Sequence, residues 1–494
     1  MLLRKSKMVK WAMTSVLIVI PFVQASAQPY DFSAWRPDRG EWFEAGGAFM
    51  DPDEPRRLGT VPGQGVMVNG ASGRTAHLVS SQEYGDIRLH AEFMVPEESN
   101  SGVYFMGRYE IQIRDSYKKD SQYAGNECGG IYERWDETRR PKGFEGVSPR
   151  FEAAGPPGQW QWFDVVFRAP RFDEYGKKVR NARFEKVFHN GFLIHENVEV
   201  TGPTRASLYE DEQPLGPIML QGDHGPVAYR NIRVMPADQP YFFAMDTGTR
   251  DDAHQTFSQQ AAMLKSLGYD GTDHTGVENL REKLAALDRH GLRLFAVYLD
   301  VWADRDRQRY NDGLEEAIEL LKGRDVTLWV PIRSHEFKPS DKEGDEAAVK
   351  VVRRIADLAE AAGLSVTLYP HSFFPMEKIG DAVRIAKKVD RPNVGVTFNL
   401  CHWLRTDRRD LTKALTEAAP YLRMATINGA DHRGDWKELI QPLDSGRFDV
   451  GAVLTALRRI GYAGPVGLQG YGIGGDVREN LRRSMGAWER LQIR

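Results

Sequence analysis

From residue 241 onwards, short apolar runs alternate with segments of helical periodicity, and the alternation repeats eight times. The runs are 241–246, 269–273, 293–300, 327–333, 364–369, 393–399, 423–428 and 465–469. Between them, apolar residues recur at helical spacing: Phe257, Ala261, Leu264 and Leu267; Val277, Leu280, Leu284 and Leu287; Val349, Val352, Ile355 and Leu358. A short apolar strand followed by an amphipathic helix is the unit of an α/β fold. Eight such units over residues 241–494 have the size and rhythm of a (β/α)8 TIM barrel. An open doubly wound sheet alternates in the same way, but eight evenly spaced units favour closure.

The chain before residue 235 has a different period. Ile87, Leu89, Ala91, Phe93 and Val95 alternate with Arg88, His90, Glu92 and Met94; Ile111 and Ile113 alternate with Glu110, Gln112 and Arg114. Alternation of period two marks a strand with one buried face. Phe188-His189-Asn190-Gly191-Phe192 sets an Asn-Gly hairpin signal between two apolar runs. Closely spaced strands with Gly/Pro turns and no good helical window predict an all-β, two-sheet sandwich over 28–235. Pro236-Ala237-Asp238-Gln239-Pro240 reads as the linker, 236–240, to the barrel.

Residues 1–27 read as a cleaved signal peptide. Arg4, Lys5, Lys7 and Lys10 precede a largely apolar stretch from Trp11 to Val23, and Ala25-Ser26-Ala27 offers a small-x-small cleavage site. The expected location is the periplasm or the exterior. No later run is long enough to span a membrane. A formal charge of −3 without charge blocks argues against nucleic acid or an anionic membrane as partner, and favours a small uncharged ligand. Cys128 and Cys401 are the two cysteines, far apart, so a disulfide framework is not expected. Nothing in the sequence marks an oligomeric state.

Several runs in the first half resemble the 3-keto-disaccharide hydrolase domain, a concanavalin-like jelly roll. They are Asn100-Ser101-Gly102, Tyr109 to Asp115, Cys128 to Tyr132, Trp160 to Phe167, His189-Asn190-Gly191, His195-Glu196-Asn197, Leu220-Gln221 with His224-Gly225, and Arg230-Asn231-Ile232. The resemblance implies action on oxidised sugars. A 3-keto group acidifies the hydrogen on the neighbouring carbon, so a base forms an enolate and the glycosidic oxygen is expelled. That chemistry needs a base, a group that stabilises the enolate oxygen, and an acid at the leaving group. Strand phase and residue type assign Glu110 as base, Gln112 and Gln221 as hydrogen-bond donors and His224 as acid. Glu92 lies on the polar face of its own strand and is expected to line the same groove as Glu110 and Gln112. The bland alternative is a solvated sheet surface.

The ends of barrel runs five to eight read Tyr369-Pro370-His371, Asn399-Leu400-Cys401-His402, Asn428-Gly429-Ala430-Asp431 and Gln469-Gly470-Tyr471. These resemble the metal-ligand positions of the xylose-isomerase-like sugar isomerase/epimerase barrels. Where that family carries Glu, Asp, His and Glu, this chain has Tyr369, Asn399, Asn428 and Gln469. No cofactor or catalytic metal is therefore expected, His371, His402 and Asp431 being the residual set for a weak divalent site. The amides of Asn399, Asn428 and Gln469 suit sugar hydroxyls, Trp403 and Trp436 offer ring faces, and His371 completes the binding set. His402 and Asp431 are the candidates for proton transfer. Gly472-Ile473-Gly474-Gly475 suggests a phosphate loop, but Asp476 and Glu479 at the following helix start oppose an anion there.

The leading expectation is a two-domain, carbohydrate-active enzyme that cleaves or hydrates 3-keto glycosides. Its rivals are a non-catalytic carbohydrate-binding protein and a metal-dependent sugar isomerase or epimerase. Sugar binding without turnover marks the first rival, and metal-dependent activity marks the second.

Overall fold

The computed structural model describes residues 32–306 and 308–492; the expected leader, 1–27, lies outside them. Two architectures follow one another. The first is a sandwich of a seven-stranded and a four-stranded antiparallel sheet. The larger sheet runs in the order Phe43–Met50, Leu58–Val68, Ala228–Pro236, Ile87–Met94, Gln161–Arg168, Ala182–His189 and Phe192–Val200. The smaller runs Leu78–Tyr84, Gly216–Leu220, Asn100–Phe105 and Tyr109–Arg114. Leu89, Phe93, Phe163 and Phe167 from the first sheet pack on Val103, Phe105, Ile111 and Ile113 from the second, in one buried core. The Asn-Gly signal is the hairpin between Ala182–His189 and Phe192–Val200. Asn190 and Gly191 both take positive φ, 50° and 85°, which that tight turn requires.

The second architecture is a closed barrel of eight parallel strands: Phe242–Ala244, Gly271–Thr275, Arg293–Tyr298, Thr327–Val330, Ser365–Leu368, Val394–Asn399, Leu422–Ile427 and Val466–Leu468. Each falls within or overlaps one of the eight apolar runs. Helices such as Asp345–Ala361 and Ile379–Val389 bury Val352, Ile355, Ala382 and Ile385 against the strands. Both cysteines are buried and free. No helix among the described residues is long and apolar enough to cross a membrane.

The sandwich docks on the N-terminal pole of the barrel. The outward residues of its larger sheet are buried because they meet the loops that enter the barrel strands. Arg88 Nη2 pairs with Asp270 at 3.1 Å, and the Tyr241 hydroxyl donates to Asp164 at 3.2 Å. Lys186 pairs with Asp325 at 2.8 Å, and the Arg293 guanidinium lies 3.6 Å from the centre of the Phe188 ring. Glu92 accepts from Lys265 at 2.6 Å, Arg230 at 2.7 Å and Asn231 at 2.9 Å. Burial alone would raise the Glu92 carboxyl; His90 and the two cations outweigh it and hold the group below the usual carboxylate range. Glu92 is thus a domain-interface residue. Its strand belongs to the larger sheet, whereas Glu110 and Gln112 lie on the smaller one, so the single groove expected for all three does not form.

Candidate active sites

On the smaller sheet the cross-strand register aligns functional side chains. Tyr104 pairs with Glu110 and Gly102 with Gln112, while the Gln221 N–H donates to the Gly102 carbonyl at 2.9 Å. With period-two alternation, Asn100, Gly102, Tyr104, Glu110, Gln112 and Gln221 share the outward face. That face is not solvated. Residues 129–132 pair along the edge of Tyr109–Arg114, and Thr204 caps the Glu110 N–H. Glu110 is 1% exposed, Gln112 2% and Gln221 5%. A β-carbon at Gly102 would collide with the Glu110 carboxyl, so the carboxyl lies over bare backbone.

The face carries more acceptors than the protein satisfies. Glu110 Oε2, Gln112 Oε1, Gln221 Oε1 and Asn100 Oδ1 are buried without hydrogen-bond partners. Such orphans are expensive in a purely structural surface, and a cluster of them points to a ligand. Burial, and secondarily the Asp223 charge, push the Glu110 carboxyl up to about 8 against the opposing bond from the Tyr104 hydroxyl. Asp223 also holds His224, whose Nδ1 is 2.5 Å from Oδ1. His224 is exposed at the rim, and His77 approaches Asp223 at 3.9 Å. Tyr104, His77 and Asp223 were not singled out by the sequence. The β-alternation of Asn100–Phe105 was the available signal for Tyr104. His195 serves structure: its Nε2 meets the Gly129 carbonyl at 2.7 Å.

At the other end of the molecule, the C-terminal mouth of the barrel holds a cavity of about 330 Å³. Tyr369, His371, His402 and Gln469, at or just after their strand ends, line it together with Trp436, which opens a short helix in the loop after strand seven. Four expected residues lie elsewhere. Asn399 is buried below the cavity and donates to the Tyr369 hydroxyl. Asn428 spends its amide hydrogens on the Gly429 and Leu439 carbonyls, at 2.8 and 2.6 Å. Trp403 turns toward Phe398 and Phe448 in the helical layer. Asp431 pairs with Arg447 at 3.0 Å and accepts from the Arg447 N–H, which holds its carboxyl below the usual range. Conversely, Asp273 and Tyr298, from strands two and three, line the cavity. Asp273 ends one of the apolar runs, and that position was its signal.

The residual metal set does not assemble. Asp431 is committed to Arg447, and among the described residues no three His, Cys, Asp or Glu side chains come together to hold an ion. Tyr369 and Asn399 bond each other, so the donors left to a hard cation lack a carboxylate pair. The residues present do not fit a divalent metal. The glycine run at 472–475 leads into a helix start where Asp476 caps the Glu479 N–H at 2.8 Å, and Glu479 pairs with Arg482.

Comparison with known proteins matches both halves. Residues 29–235 fit the 3-keto-alpha-glucoside-1,2-lyase-like domain, that is, the 3-keto-disaccharide hydrolase domain, and residues 261–490 fit the xylose isomerase-like TIM barrel. The chain is a fusion of these two domain families. A ketose 3-epimerase of Arthrobacter globiformis is 27% identical over 222 residues, spanning 42% of this chain and 73% of that protein. Among solved structures, a 3-keto-D-glucoside 4-epimerase of E. coli is 22% identical (TM-score 0.43; 51% of this chain, 99% of that one). A D-allulose 3-epimerase of Methylomonas sp. is 14% identical (TM-score 0.42; 51% and 98%). The fusion is of sugar-processing, enzyme-type domains.

Proposed function

We propose that the sandwich cleaves 3-keto glycosides by β-elimination, with Glu110 as the base. The observation that carries this reading is the buried, partnerless Glu110 oxygen on the same face as the unpartnered amide oxygens of Gln112 and Gln221. Glu110 takes the proton from the carbon next to the ketone. The electron pair moves into an enolate, whose oxygen the two amides receive once their N–H ends are turned toward it. The enolate re-forms the ketone as the glycosidic carbon–oxygen bond breaks, and His224, steadied by Asp223, protonates the leaving oxygen. Water adding across the new double bond completes a net hydrolysis. A base with its pKa near 8 is well matched to such a proton. In the same reading the substrate is a small carbohydrate and the chain is exported, on the strength of residues 1–27.

The test is turnover of a 3-keto glycoside and of its unoxidised parent by the full chain, with and without chelator. Release of the aglycone from the keto substrate alone, insensitive to chelator and abolished in Glu110→Gln, is expected. Near-normal turnover by Glu110→Gln, or saturable sugar binding without turnover, overturns the assignment.

A further inference from the structure

Asp273, His371 and His402 line the barrel mouth and take no part in the sandwich chemistry. What each touches fixes where its hydrogen sits. Asp273 Oδ1 accepts the Asp246 N–H at 2.6 Å, which leaves Oδ2 to carry a proton; Oδ2 is buried without a protein partner. Burial, followed by the neighbouring Asp246 charge, pushes this carboxyl well above the usual range, against the opposing charge of the buried Lys283.

The two histidines are set by one buried residue between them. His371 Nδ1 lies 2.9 Å from the Ser372 carbonyl. A carbonyl only accepts, so Nδ1 bears the hydrogen and Nε2 has the lone pair. The Ser372 N–H lies 3.2 Å from His402 Nδ1. A peptide N–H only donates, and the Ser372 hydroxyl, 3.1 Å from the same Nδ1, is free to donate as well, so the peptide contact places the His402 hydrogen on Nε2. Two rings with centroids 4.1 Å apart are thereby held in opposite tautomers, one a base and one a donor. With its Nδ1 taken and its Nε2 protonated, His402 has no lone pair for a metal. Next to this pair, Phe373 stands 58% exposed at the rim with φ of 73°. A bulky residue in that backbone region is strained, and such strain gathers at ligand sites. With Trp436 it gives the mouth apolar walls around neutral polar groups.

We propose that the barrel mouth is a metal-independent enolisation site for a neutral keto-sugar, with His371 as base and Asp273 and His402 donating to the carbonyl oxygen. His371 Nε2 takes the hydrogen on the carbon beside the carbonyl as a proton. The bonding pair becomes the carbon–carbon double bond, and the carbonyl oxygen takes the proton of Asp273 Oδ2. Return of a proton to carbon and of the enol proton to Asp273 restores the sugar, with or without inversion. No co-reactant enters. This inference does not depend on Glu110.

The experiment uses the full chain carrying Glu110→Gln, dialysed against EDTA, in deuterium oxide, with 3-oxo-D-glucose and D-fructose as probes. Loss of the proton signal on the carbon beside the carbonyl is followed by NMR, and binding by Trp436 fluorescence. The expected result is enzyme-dependent exchange with at least one probe, unchanged by EDTA or added manganese. His371→Gln lowers it by roughly 100-fold or more while binding survives. Asp273→Asn, which keeps an acceptor for the Asp246 N–H, also slows exchange with binding intact. Exchange that needs added metal, exchange indifferent to His371→Gln, or absence of exchange with both probes overturns the proposal.

Discussion

Replacing Glu110 by Gln turns the buried carboxyl into a direct thermodynamic readout. In the folded chain this group titrates at about 8, against an ordinary value of 4.5. Between those values the folded state keeps a proton that the unfolded state has released. Stability from this group is therefore fully present below pH 4.5 and declines as pH rises through about 8. Each unit of pKa difference corresponds to about 1.4 kcal/mol, which sums to about 5 kcal/mol over the whole window. The amide of Gln has nearly the same shape and does not titrate, and all other groups are shared, so they cancel in the difference. Between pH 5 and 7.5 the advantage of Glu110→Gln over wild type is expected to grow by about 3 kcal/mol. Urea unfolding of both proteins, followed by intrinsic fluorescence at half-unit pH intervals, measures it. A difference that stays flat within about 0.5 kcal/mol would mean that Glu110 is solvated and titrates normally. The case for an activated base would then be lost.

Three further outcomes are expected. Because the base acts only when ionised, kcat/KM for a 3-keto glycoside should rise about tenfold per pH unit below pH 8 and level off above it; a pH-independent rate from 5 to 8 removes Glu110 from the step. Gly102→Ala should displace the carboxyl and lower kcat by roughly tenfold or more, with little change in the urea midpoint, since alanine otherwise suits a strand interior better than glycine. Lys265→Met strips one cation from the buried Glu92 and should weaken the domain interface by about 3 kcal/mol, seen as separate unfolding transitions for the two domains; one unchanged cooperative transition contradicts it.

The barrel was legible because most of its strands are apolar runs buried on both faces, and several of them end at a residue that lines the mouth. The sandwich was legible as alternation, but alternation tells which face a residue takes and not which of two sheets it joins. That is why Glu92 and Glu110, identical in pattern, part company: the barrel covers one outward face, and the loops after Arg114 cover the other. Asn399 and Asn428 show the complementary limit. Strand-end position was read correctly, yet an amide with a nearby carbonyl or phenol turns inward, a choice made by tertiary neighbours. The orphaned acceptors around Glu110 and the Ser372 peptide between two histidines have no sequence signature, because both depend on atoms brought together by the fold.

The docking of the sandwich on the N-terminal pole settles the traffic of small molecules. The barrel mouth opens at the far pole, and the Glu110 face belongs to the sheet turned away from the interface. A molecule released by one site reaches the other only through bulk solvent. A scavenger enzyme added in excess should therefore intercept any intermediate shared by the two domains.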